Sequence, residues 1–74
     1  MTDDRWYIYI IQKRKSYYTG ITTDVSHRTS QHGVGKPLYL EGPMDKFHAA
    51  AREREIKGWS REKKEKLLRA VSLS

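Results

Sequence analysis

The chain has 74 residues, no cysteine and a formal charge of +6, from 15 lysines and arginines against 9 aspartates and glutamates. That length allows one small domain with a thin core, and the absence of cysteine excludes disulfides and thiolate metal sites and fits a reducing, cytoplasmic setting. No apolar run approaches the ~18 residues of a membrane span, the start "MTDDRW" lacks the basic and apolar segments of a secretory signal, and a small, strongly basic chain is suited to a polyanion, nucleic acid first.

In chain order, "RWYIYIIQ" (5–12) is rich in aromatic and β-branched residues and predicts a strand. Alternation puts Trp6, Ile8 and Ile10 on one face and Tyr7, Tyr9 and Ile11 on the other. Two apolar faces predict a central strand covered on both sides. "YYTGIT" (17–22) is a second strand, and the polar "KRKS" between them is a hairpin turn. The turn lacks the Asn-Gly or Gly-Gly of a tight primed turn, so the pairing register stays open.

"TTDVSHRTSQHG" begins a helix with Thr23 or Asp24 as N-cap and Gly33 as its stop. "PLYLEG" is a short third strand with Pro37 at its first position. "PMDKFHAAAREREIKGW" is helical, its start marked by Pro43 and Asp45. "SREKKEKLLRAV" is a last helix, capped by Ser60, with Leu67, Leu68 and Val71 as its apolar stripe. The order β-β-α-β-α-α predicts a single α+β domain over residues 1–74, a three-stranded antiparallel sheet flanked by helices.

Arg28 and His32 stand at i and i+4 of the first helix and share a face, a spacing suited to clamping phosphate and equally to an ordinary solvated helix face. Around the second helix Glu53 falls about 40° from Ala49 and about 60° from Ile56. A carboxylate among apolar neighbours needs a partner, and a divalent cation is one. Glu55, with Ala51 at i−4 and Trp59 at i+4, competes on the same grounds. "HGVGKP" is no phosphate-cradling P-loop, because it lacks the glycine gap and the hydroxyl residue. His27, His32 and His48 lack zinc-ligand spacing.

Several of these segments together resemble the GIY-YIG nuclease family, in particular its small single-domain, UPF0213-like members. Tyr7-Ile8-Tyr9 stands for the first motif and Tyr18-Thr19-Gly20 for the second, within "WYIYI" at 6–10 and "YTGITTD" at 18–24. Arg28 occupies the place of the family arginine, His32 that of a histidine one turn later, and Glu53 opens the "ExxIK"-like pattern "EREIK". The resemblance implies a metal-dependent endonuclease that hydrolyses phosphodiester bonds in DNA, in repair, recombination or turnover, with Mg²⁺ or Mn²⁺ as cofactor. It implies that Tyr9 positions or deprotonates the attacking water and Tyr18 supports it. Arg28 would stabilise charge on the phosphorus, and Glu53 would hold the metal. Tyrosine is an awkward base, with an ordinary pKa near ~10. Tyr7 and Tyr17 are assigned to packing.

Lys13, Arg14 and Lys15 in the turn and Lys57, Arg61 and Lys64 in the C-terminal third are candidate phosphate contacts. The interleaved glutamates there equally suit helix-surface ion pairs. The loop "GVGKPLYLEG" is shorter than the resemblance implies, which points to a homodimer or a partner protein for gripping nucleic acid. A second reading is a non-catalytic nucleic-acid-binding module on the same scaffold.

Overall fold

Strand β1 (Trp6–Lys13) runs through the middle of a three-stranded sheet of order β2-β1-β3, with β2 (Ser16–Thr22) and β3 (Tyr39–Met44) antiparallel on its two sides. Helices α1 (Val25–Gln31), α2 (Lys46–Lys57) and α3 (Arg61–Ser72) complete the order β-β-α-β-α-α of an α+β domain. The structure, a computed structural model, describes residues 4–33 and 35–72.

The register left open by the turn is set by pairs running from Tyr7–Thr22 to Lys13–Ser16, so only Arg14 and Lys15 form the turn. It is tighter than the four-residue "KRKS" expected. A two-residue hairpin of this kind demands positive φ, which glycine or asparagine usually supplies. Here Arg14 takes it, at φ 60°, at a cost on the order of 1–2 kcal/mol.

Alternation along β1 divides the molecule. Ile8 and Ile10 form a fully buried cluster with Ala49 and Ile56 of α2, and Trp6, Tyr17, Ile21, Tyr39, Met44, Trp59, Leu67 and Leu68 pack against it. Each buried isoleucine contributes roughly 1.5–3 kcal/mol of transfer free energy. Helices α2 and α3 therefore cover this face. The opposite face carries Tyr7, Tyr9 and Ile11, and α1 lies against it, its C-cap His32 touching the rings of Tyr9 and Tyr18. Tyr17, paired with Gln12, belongs to the packed face, whereas Tyr18, paired with Ile11, belongs to the α1 face.

The caps follow the side chains. Asp24 Oδ1 accepts from the His27 N–H at 3.0 Å, and Gly33 ends α1 at φ 76°. Asp45 Oδ1 accepts from the His48 N–H at 2.8 Å, and Ser60 Oγ accepts from the Lys63 N–H at 3.2 Å. Leu67 and Leu68 face the core as expected; the side chain of Val71 lies outside the described residues.

Two proline assignments are corrected. Pro37 precedes β3, which begins at Tyr39, because Leu38 makes the first link by donating its N–H to the Ile10 carbonyl at 2.7 Å. Pro43 lies inside β3 and does not open α2. β3 is an edge strand with a register shift opposite Trp6–Ile8, so a missing N–H is tolerated there. Arg52 ties α2 to β3 through Glu41, with Nε to Oε2 at 3.1 Å. Among the described residues no helix is long and apolar enough to cross a membrane.

Candidate active site

Tyr9 is 1% exposed although its neighbour across the sheet is only a glycine. The two facts are connected. The Tyr9 ring lies across Gly20, and a Cβ built on Gly20 would stand 2.6 Å from the Tyr9 hydroxyl and 2.8 Å from Cζ. Glycine is needed there for space, so the middle strand can send a phenol to the β2 edge of the sheet. The sequence placed Gly20 in a motif; its role in seating Tyr9 required the register.

At that edge three rings meet. Tyr9 and Tyr18 have centroids 6.1 Å apart, Tyr18 and His32 4.8 Å, and Tyr9 and His32 6.3 Å, all tilted. Tyr18 is 42% exposed and forms the outer wall, with Tyr9 beneath it. His32 reaches the pair because Asp24 starts α1 where it does, which puts residue 32 at the end of two turns above Tyr18.

Arg28 and Glu53 complete the surroundings from different helices, both acting electrostatically on the Tyr9 hydroxyl. Burial, the neighbouring Tyr18 and a side-chain hydrogen bond with it, and the Glu53 carboxylate push Tyr9 up to about 12, and Arg28 alone pulls the other way. Burial is the largest of these causes, because a phenolate loses more hydration there than a phenol. Arg28 is exposed and makes no ion pair among the described residues.

The two α2 glutamates differ clearly. The Glu53 side chain is 23% exposed, lies between buried Ala49 and Ile56, and has a loose partner in Lys57 at 3.6 Å. The Glu55 side chain is 56% exposed and ion-paired with Arg52. Among the described residues no three His, Asp or Glu side chains group to hold a metal ion. Glu53 is thus a lone carboxylate, a donor set that suits a cation keeping most of its water ligands, as Mg²⁺ does.

The basic candidates fall into two places. Lys57 is tied to Glu53 beside the tyrosine cluster. Lys13, Arg14 and Lys15 sit at the hairpin tip, and Arg61 and Lys64 stand beside that tip on α3. Tyr7 is half-buried on the α1 face, and Tyr17 packs against the core while donating a hydrogen bond to Glu65 at 3.4 Å.

The chain is 38% identical to a UPF0213 protein of Haloquadratum walsbyi over an alignment of 78 positions, gaps included, with 88% of each chain covered. It is 36% identical to UPF0213 proteins of Yersinia pestis and Yersinia pseudotuberculosis over an alignment of 81 positions, gaps included, covering 92% of this chain and 85% of theirs. No family profile and no solved structure matches it.

Proposed function

The chain belongs to the UPF0213 family, and with that as premise we propose that it is a metal-dependent endonuclease of the GIY-YIG type, hydrolysing phosphodiester bonds in DNA. One observation carries the reading: a buried phenol, Tyr9, is in contact with Tyr18 and His32 while a guanidinium, Arg28, and a lone carboxylate, Glu53, act on the same hydroxyl from two other elements. Packing alone gives no reason to gather a phenol, an imidazole, a cation and an anion at one sheet edge.

The residues divide the work by their chemistry. With a pKa raised to about 12, Tyr9 is a neutral phenol at physiological pH, and it orients the attacking water by hydrogen bonding. Tyr18 holds the Tyr9 hydroxyl from above. The imidazole of His32, tilted against the Tyr18 ring, is the nitrogen base at hand to accept the water proton. Arg28, which makes no ion pair among the described residues, binds two phosphate oxygens and stabilises the charge that builds on them. Glu53 would hold Mg²⁺ or Mn²⁺, which supplies charge stabilisation at the leaving oxygen when bound.

The test is incubation of labelled single- and double-stranded DNA with the chain in Mg²⁺ or Mn²⁺. Cleavage is expected, with Glu53→Ala and Arg28→Ala each slowing it by about 10²–10³-fold. DNA binding without cleavage by the unaltered chain would instead establish a non-catalytic binding module.

A further inference from the structure

A second basic feature stands apart from the tyrosine cluster. Lys15, Ser16, Tyr17, Arg61 and Lys64 line a shallow pocket of about 280 Å³ where the hairpin tip meets α3. Its framework is fixed. Arg61 donates from Nη1 to the Lys15 carbonyl at 2.7 Å, lies over the Tyr17 ring at 5.4 Å, and pairs with Glu65 at 3.2 Å. Glu65, which also accepts from the Tyr17 hydroxyl, is thereby engaged on the far side of Tyr17. Lys15 and Lys64 have no ion-pair or side-chain hydrogen-bond partner among the described residues. Two uncompensated ammonium groups, a pinned guanidinium and the Ser16 hydroxyl thus surround one small open volume. Cationic side chains lining one open volume suit an anion that can pair with them.

We propose that this pocket is a second phosphate subsite, which holds a backbone phosphate of the substrate strand at a fixed offset from the phosphate that is cleaved. The proposal rests on the reading of the Tyr9 cluster as the cleavage site. Lys15, in the turn, is three residues before Tyr18, at most about 10 Å of chain, so both points lie within reach of one short stretch of strand. Because Tyr17 and Tyr18 point to opposite faces of an edge strand, the bound strand follows the β2 edge and passes from the α1 face to the α3 face. Held at two points, it is cut at a fixed distance from the phosphate in the pocket.

Binding is measured by fluorescence anisotropy with a labelled eight-nucleotide DNA in EDTA, for the full chain and for Lys15→Gln, Lys64→Gln, the double variant and Lys66→Gln. Lys66 is exposed on α3 outside the pocket, so its variant makes the same change of net charge. Lys15→Gln and Lys64→Gln should each weaken binding about threefold or more, and the double variant should lower the salt slope by about one phosphate equivalent, roughly 0.7–0.9. Lys66→Gln should change neither. Equal losses in Lys64→Gln and Lys66→Gln, or an unchanged slope in the double variant, overturn the proposal. With Mg²⁺ and a longer end-labelled strand, the double variant should scatter the cut positions. A chain that binds as expected but never cuts overturns the nuclease reading and leaves the phosphate pocket standing. A chain that cuts while the double variant binds and cuts like the unaltered chain overturns the pocket alone. No binding by the unaltered chain at low salt overturns both.

Discussion

The two faces of β1 are built from neighbouring residues yet obey opposite rules. Ile8 and Ile10 look toward α2 and α3 into a cluster of buried apolar side chains. Tyr9 looks the other way, equally buried, but its hydroxyl is met by Tyr18 and acted on by Arg28 and Glu53. One face stabilises the domain by removing carbon from water. The other holds an ionisable group at the edge of solvent, where its environment resists ionisation. A domain this small keeps both because a central strand alternates every residue, so the core and the site share one backbone.

The comparison is broken most severely on the packed face. Ile10→Ala should cost about 2–5 kcal/mol, a large part of the roughly 4–11 kcal/mol expected for a chain of this length. Urea unfolding followed by circular dichroism would show it as a fall in midpoint at unchanged slope. If the loss is below about 1 kcal/mol, the cluster around Ile8 and Ile10 is not what holds the sheet to its helices.

Gly20→Ala tests the seat of Tyr9. The new methyl group cannot coexist with a hydroxyl 2.6 Å away, so the ring must leave its place over β2, at about 1–3 kcal/mol. Tyrosine absorbance would register the displacement directly. In the unaltered chain one phenol should titrate near pH 12, and in Gly20→Ala it should return toward the ordinary value near ~10. The sign for stability follows from the raised folded-state pKa. The contribution of neutral Tyr9 is complete below pH ~10 and is lost as the pH climbs toward about 12.

The smallest effect is expected at Thr19, on the packed face opposite Ile10. Its Oγ1 is buried with no hydrogen-bond partner among the described residues, in a residue 2% exposed. Thr19→Val keeps the shape and removes the unmet hydroxyl, and should raise stability by about 1 kcal/mol. A loss of stability in the same unfolding assay would show that the hydroxyl is satisfied in solution, and the packed face would then be less dry than its isoleucines imply.

Much of the fold was legible because its signals are local. The alternation in "WYIYI", the caps Asp24, Asp45 and Ser60, and the stop at Gly33 depend on residues a few positions apart, and each stands where its side-chain chemistry puts it. The prolines misled because proline is compatible with a strand start, a helix start or an edge bulge, and the choice for Pro43 depends on which strand lies at the edge of the sheet. The register of the hairpin was hidden for a similar reason: only pairing energy across two strands forces Arg14 into a conformation its own side chain disfavours.

The sequence by itself determined the order of elements, the two-sided apolar central strand, the positive charge and the residue types that gather around Tyr9. Tertiary structure alone decided how those residues relate. It seated Tyr9 over Gly20, turned Glu53 inward and Glu55 outward on the same helix, and brought the tip lysine Lys15 to Arg61 and Lys64, 46 residues separating the hydrogen-bonded pair. These are contacts between elements distant in the chain. Their geometry follows from sheet register and helix packing, which no local propensity encodes.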